Sequence, residues 1–558
     1  MARIDSKVIF VTTSPRTPAK MIPEIALLKE HFTGKEWNHE SQVAFMELLR
    51  EENFFNGSGA KDPAFSARDR INRAPKALGF VNLAPEISLT PAGERLISAK
   101  RTEEVFLRQL LKFQLPSPYH IAGKSAAKFC IKPYLELFRL VRHFGALKFD
   151  ELMIFALQMT DYRQFDLIVS KIEKFRIDKA NNKESYRTFK KKYINEELKV
   201  IYADEISKGE TKTRENSDAS LDNFIATKAS NMRDYADACI RYLRATGMVN
   251  ISHVGRTLSI VPEKQEEVDY FLEHIDSEPC FVNDEAAYSA YLGNADLPVL
   301  WSDNKSLLIT RLKKEFPNIA IDDSLTIQQL KDILDNSLYL RQQDILYKEV
   351  EAIKDMQRYD DIQNTFAQIS DETLYDIPLM LEWNVWRAMT MLDGGNIIAN
   401  LKFDDFGNPM STAQGNMADI VCDYDGFDVT VEVTTASGQR QYEMEGEPVA
   451  RHLGKLKKST GKETYCLFIA PTINQASIAH FFMLQQANIS YYGGKSTIVP
   501  LELSVFQKMV EDSYKASYTP NPMHVETFFK FSQSAAQEAS SEMDWYEKVK
   551  EKALHWLD

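Results

Sequence analysis

The stretch ADIVCDYDGFDVTVEVTT, residues 418–435, leaves the chain little conformational choice. Asp425-Gly426 is a strong two-residue turn signal, and the runs on either side are rich in β-branched and aromatic residues, so the segment reads as a β-hairpin. Asp419 and Glu432 lie thirteen residues apart on opposite arms, so the hairpin brings them together at its open end. Glu432 sits between Val431 and Val433 on an apolar strand. A carboxylate in such a place is costly unless it is paired or binds a metal. Asp423, Asp425 and Asp428 nearer the turn read as solvated.

The surrounding text extends this into a mixed αβ core. LYDIPLMLEWNVWRAMTML (374–392) is an amphipathic helix stopped by Gly394-Gly395 and carrying Glu382 mid-helix, and NIIANLKF is a strand. EPVARHLGKLKK is a helix starting after Glu447-Pro448, with Arg451, His452 and Lys455 close to one face. TYCLFIAP is apolar throughout, as a strand buried on both sides must be. NQASIAHFFMLQQ, STIVPLEL and VFQKMVEDSY continue as helix, strand and helix. Clustered hard-oxygen ligands suit Mg²⁺, which phosphodiester hydrolysis uses to activate water and offset charge on the phosphate. Metal cores of this kind usually carry a lysine two residues after the glutamate, but here that position is Thr434.

With 558 residues the chain needs more than one core. Its net charge of −13 conceals a split: residues 1–250 hold 41 Lys and Arg against 32 Asp and Glu, and the rest hold 26 against 48. A basic half joined to an acidic half suggests polyanion binding in the first and different work in the second. Two segments of the basic half share a pattern, FSARDRINRAPKALGFVNLAPEISLTPAGERLI (65–97) and MRDYADACIRYLRATGMVNISHVGRTLSIVPEKQEEV (232–268). Each reads as a charged helix ending near a glycine (Gly79, Gly247), a short β pair, and a helix opened by proline (Pro91, Pro262). This is a winged-helix pattern, whose DNA-binding versions insert a helix in the major groove. Candidate DNA contacts are Arg68, Arg70, Arg73 and Lys76 in the first module and Arg233, Arg241 and Arg244 in the second. Arginine suits bidentate contact with guanine, though some of these side chains belong to phosphate contacts or to salt bridges with Asp69, Asp234 or Asp237. Between the modules lies FRIDKANNKESYRTFKKKY (175–193), a basic run that reads as an exposed helical face or a phosphate-contacting one.

The expected division is a recognition region over 1–280, with winged-helix modules at about 60–100 and 225–270, a helical linker over 281–371, and a nuclease domain over 372–558. No apolar run is long enough to span a bilayer, and the N-terminus lacks the apolar stretch of a signal peptide. Five scattered cysteines without a CxxC pair argue for a reducing compartment, so a cytoplasmic location is expected.

Longer matches carry a resemblance. SPRTP, AFSARDR, ALGFV, MRDYADACIRYLRATG, LEWNVWRA, GNMADI, EVTTASGQRQYEMEGEPVARH and YCLFIAP run from end to end, and together they resemble the AlwI family of type IIS restriction endonucleases. The resemblance implies a multidomain α+β chain with a winged-helix-containing recognition region, a helical linker and a C-terminal PD-(D/E)xK-type α/β nuclease domain. It also implies Mg²⁺-dependent cleavage of double-stranded DNA at a fixed offset from a short asymmetric site. The family's acidic site falls on Glu382, Asp419, Glu432 and Glu445, and its histidine on His452; Asp419, Glu432 and Glu382 are the expected metal ligands. Glu-Val-Thr is the family's own text at the strand, so Thr434 is no sign of decay. His452 is the expected water-orienting or water-deprotonating group, with Glu445 holding it or joining the metal shell. One such site cuts one strand, so double-strand cleavage calls for a transient homodimer through the cleavage domain or a second nuclease subunit, and a strand-specific nicking enzyme is the alternative. A winged-helix regulator with an inactive nuclease fold and a structure-specific repair nuclease are the competing classes.

Overall fold

A computed structural model describes residues 7–9, 14–52, 54, 62–117, 129–213, 215, 218–253, 256–322, 324–393, 395–413 and 416–557. Gly394 of the expected helix stop, Gly415 of GNMADI, residues 60–61 of the first module and parts of 101–215 lie outside them. Among the described residues no helix is long and apolar enough to cross a membrane.

The chain forms two compact units, residues 1–48 with 59–335, and 49–58 with 336–558. The expected 281–371 linker is therefore divided, and the physical reason lies in what each part buries. Helix Glu285–Gly293 packs so closely on the first module that a Cβ on Gly79 would fall 2.5 Å from Leu292 Cγ. Asp303 accepts from Arg108 at 2.7 Å and from Lys331 at 2.7 Å, binding the segment into the first unit. Ile353, Ile362, Phe366 and Ile369 instead join the apolar core of the second unit.

In the first unit, helices Pro63–Ile71 and Ala74–Ala77 precede antiparallel strands Val81–Asn82 and Ser88–Leu89 and helix Pro91–Ser98. Gly79 takes φ +74°, the turn for which its lack of a side chain suits it. The second stretch runs from helix Leu221–Arg244 through antiparallel strands Val249–Ser252 and Thr257–Ile260 to helix Gln265–His274. A distant strand, Ala146–Lys148, pairs with Thr257–Ile260 and completes a three-stranded sheet. Three residues offer too little periodicity to read as a strand before the partner is known.

The second unit is built on a five-stranded sheet. Its order is Thr497–Glu502, Glu463–Ala470, Phe427–Val433, Ile420–Asp423, Asn396–Ala399. The first three are mutually parallel and the last two antiparallel to their neighbours. Parallel strands need crossovers, and helices Gln439–Thr460 and Gln475–Gln486 supply them. Pro500 is tolerated because its strand is at the sheet edge. NIIANLKF is not one strand: Asn396–Ala399 joins the sheet, while Lys402–Phe403 pairs with Pro409–Ser411.

The helix expected to start after Pro448 starts at Gln439 and contains Pro448 in its interior. Buried Gln441 outweighs the proline, donating to the carbonyls of Ala436 (2.9 Å) and Thr472 (2.8 Å) and accepting from Asn474 N (2.8 Å). Asp428 also departs from expectation: it is 1% exposed and paired with Lys462 at 3.1 Å.

Candidate active site

The hairpin register sets the site. Val431 is the partner of Ile420, and one step further Glu432 faces Asp419. The Val433 amide donates to Asp419 Oδ2 at 2.8 Å. Helix Ile377–Asp393 brings Glu382 from the side, where its Oε2 accepts from the Ala413 amide at 3.2 Å. Helix Gln439–Thr460 brings Glu445 and His452. Thr434 Oγ1 donates to Glu445 Oε1 at 2.8 Å, and His452 Nδ1 lies 2.9 Å from Glu432 Oε1. The histidine thus belongs to Glu432, while Glu445 is held by the threonine that occupies the usual lysine position.

Glu382 is 7% and Glu432 6% exposed. Burial and neighbouring acids push all of this group upward: Asp419 acts on Glu382, Glu432 on Asp419, and Glu445 on Glu432. Glu445 is raised by burial, opposed by the Thr434 hydroxyl. His452 moves the other way, down to about 4, through burial and the nearby cations Arg451 and Lys455. When Glu432 is ionised, a neutral ring presents Nδ1–H to it and leaves Nε2 as an acceptor; Nε2 is buried with no hydrogen-bond partner among the described residues.

Positive charge reaches the site from the helix rather than from the strand. Arg451, 4% exposed, favours ionisation of Glu432. Its Nε donates to Glu447 at 3.1 Å, and its Nη1 donates to Asn416, which stands at φ +69°. Lys455 Nζ donates to the Asn416 carbonyl at 3.2 Å. Asn416 is a contributor the sequence did not single out; only its position in GNMADI, three residues before Asp419, hinted at it.

Among the described residues no three His, Cys, Asp or Glu side chains converge tightly enough to cage an ion ready-made. Instead a hydrogen-bond donor restrains each carboxylate separately, as mutually repelling groups require. A set of hard oxygens, buried on Glu382 and Glu432 and half-buried on Asp419 and Glu445, with little cationic compensation, is chemically matched to a hard dication such as Mg²⁺.

The arginines proposed for DNA divide by environment. Arg68 donates to Gln42 at 2.7 Å, and Arg70 pairs with buried Glu24. Arg73 pairs with Asp69, and Arg241 with Asp237 at 3.0 Å. Asp234 pairs instead with Arg16 at 2.8 Å. Lys76 is half-buried, Arg233 exposed, and Arg244, at 8% exposed, lies in the interior.

The family described as AlwI restriction endonuclease matches residues 76–509. No curated protein matches the chain. Solved structures similar to it include the small subunit (R.BspD6I2) of the heterodimeric restriction endonuclease R.BspD6I. That chain is 24% identical over 35% of this one and 95% of its own length, with a TM-score of 0.28. Another is the BpuJ1 endonuclease binding domain in complex with pyrene- and phenanthrene-modified DNA. It is 13% identical over 52% of this chain and 100% of that one, with a TM-score of 0.34.

Proposed function

This chain belongs to the AlwI restriction endonuclease family, and on that premise we propose that it is a Mg²⁺-dependent type IIS enzyme. The first unit recognises a short asymmetric duplex sequence; the second, a PD-(D/E)xK-type domain, hydrolyses phosphodiester bonds at a fixed distance outside it. The observation that carries this reading is the gathering of Glu382, Asp419, Glu432 and Glu445 around one end of the hairpin, where burial and like charge hold these acids above their ordinary range. A regulator with an inactive nuclease fold would have no use for that costly arrangement.

Glu382, Asp419 and Glu432, with the Val433 carbonyl, are the groups that would hold the ion. Bound there, Mg²⁺ supplies charge against the phosphate and leaving oxygen and makes the attacking water more acidic. Glu432 fixes the His452 ring through Nδ1, and His452 Nε2 is placed to accept a hydrogen bond from water. Thr434 orients Glu445. Arg451 offsets part of the negative charge that a lysine would otherwise meet.

In the first unit, the Pro63–Ser98 and Leu221–His274 stretches act as winged-helix modules, the second drawing its third strand from Ala146–Lys148. Arg68 and Arg233 are the candidates best placed for DNA; Arg244 serves the interior. Cleavage of both strands takes a transient homodimer or a second nuclease subunit.

The test is a supercoiled-plasmid digest with Mg²⁺ beside Glu432→Ala, with ends mapped by sequencing. Cuts at a constant distance from a shared short sequence, absent from the variant, are expected. Linear product means that both strands are cut, and accumulation of open circles means nicking. Cuts scattered without a common sequence would sink the type IIS reading.

A further inference from the structure

The helical pair Phe165–Asn181 and Tyr186–Ile201, with its connecting turn, carries ten Lys and Arg against six Asp and Glu. An aromatic cluster makes the pair rigid: the Phe175 ring lies 5.4 Å from Phe189 and 5.0 Å from Tyr193. Several nearby acids are engaged, among them Glu184, which pairs with Lys192 at 2.6 Å. Glu151 is bound by Arg176 at 2.8 Å, and Asp150 accepts from the Tyr186 hydroxyl at 2.6 Å and from Lys190 at 3.3 Å.

What remains is basic. Lys179 and Lys190 stand over the same Tyr186 ring, at 4.1 and 5.6 Å. Burial, and then the crowding of exposed Lys148, hold the Lys179 ammonium below the usual lysine range. Arg187 and Lys191 are exposed one turn apart on a helix face, preceded by exposed Lys183 in the connecting turn, and these three have no ion-pair partner among the described residues. No acid occupies the first turn of Tyr186–Ile201, so Arg187 opposes the helix dipole there, and Lys191 one turn on repels Arg187. A merely solvated face has no reason to concentrate charge where it destabilises its own helix. Lys148, the neighbour of Lys179, ends the strand Ala146–Lys148 and pairs with Thr257 of the hairpin, so the basic pair abuts the three-stranded sheet at that point.

Resting on the reading above that the first unit binds duplex DNA, we propose that this helical pair is a sequence-independent clamp on the DNA phosphate backbone, with Lys183, Arg187 and Lys191 as its contacting row. It lies outside the helices that carry the candidate base-reading arginines, so it lengthens the footprint and adds affinity without adding specificity.

The test compares the full chain with its K183Q/R187Q/K191Q variant, binding labelled duplexes in Mg²⁺-free buffer across a KCl series. One duplex carries the cleavage-directing sequence and the other is scrambled. The slope of log K against log salt is expected to become shallower by about 2–3 on both duplexes, with the ratio between the duplexes unchanged. The charge-preserving K183R/R187K/K191R variant is expected to keep the parent slope. An unchanged slope in the glutamine variant, with parent binding and cleavage intact, overturns the clamp and leaves the endonuclease reading standing. A parent chain that binds no duplex at any salt overturns both. A variant that loses discrimination between the duplexes at an unchanged slope overturns the clamp in favour of base contact.

Discussion

At the scale of single residues, the cost of the site is electrostatic. Glu432 is buried and pushed upward by burial and by Glu445. Glu432→Gln keeps an oxygen for His452 Nδ1 but removes a buried charge. Without metal the variant should be more stable than the parent near pH 8, on the order of 1 kcal/mol, while cleaving no DNA. The sign follows from linkage. A carboxyl whose folded value is raised favours folding below its ordinary range and loses that contribution as pH rises through the folded value. The advantage of the glutamine variant should therefore grow with pH and vanish in acid, where Glu432 is itself protonated. Thermal melts in EDTA at several pH values check this; a variant less stable than the parent at pH 8 would refute the burial argument. His452→Ala tests the other half of the pair. Loss of an acceptor at Nε2 should lower the cleavage rate about 10²-fold or more, with binding of the duplex unchanged. Full activity would remove His452 from the mechanism.

At the scale of elements, the helix Gln439–Thr460 decides whether these groups meet. Its close seat depends on Gly454, where a Cβ would stand 2.8 Å from Tyr492 Cα and 2.8 Å from the Tyr492 carbonyl oxygen. Backbone cannot yield as a flexible side chain can, so Gly454→Ala should displace the helix carrying Glu445, Arg451 and His452. A loss of about 1–3 kcal/mol and a fall in cleavage of up to about 10²-fold are expected, read by denaturant titration and single-turnover kinetics. An alanine variant of parental stability would mean that the approach is not tight. The same helix shows what the sequence could and could not reveal. Asp425-Gly426 and the apolar run of residues 465–470 are local signals, and the hairpin and the buried strand stand where those signals put them. Pro448 is also a local signal, but it misplaces the helix start, because Gln441 fixes the first turn through partners at 436, 472 and 474 that only tertiary structure brings near. Asp428 looked solvated for the same reason: its partner Lys462 lies beyond the crossover helix. Asp419 and Glu432 were legible because hairpin register is short-range; Glu445 came only with the family resemblance, and the pairing of His452 with Glu432 rather than Glu445 depends on how a helix lies on the sheet.

At the scale of the whole molecule, the two units bury separate cores and carry different chemistry. Residues 251–558 hold 48 acidic against 26 basic side chains, so on the proposed reading the half that contains the carboxylate site has little intrinsic attraction for DNA and relies on the basic half for it. The same separation makes metal binding observable without any substrate. An ion that binds the folded second unit and not the unfolded chain stabilises that unit by about 2.7 kcal/mol at a hundred times its Kd, and leaves the first unit untouched. Four of the six tryptophans, Trp383, Trp386, Trp545 and Trp556, lie in the second unit, two of them on the helix that carries Glu382. Tryptophan fluorescence therefore follows mainly the unit in question. Adding Mg²⁺ to EDTA-treated protein should raise the fluorescence-detected melting transition in the parent and leave it in place in Glu432→Ala, where a ligand is missing. Equal shifts in both proteins would place the ion elsewhere. No shift in either, at Mg²⁺ concentrations that support cleavage, would mean that the carboxylates gather an ion only once DNA contributes a phosphate oxygen, and the metal would then belong to the complex rather than to the free enzyme.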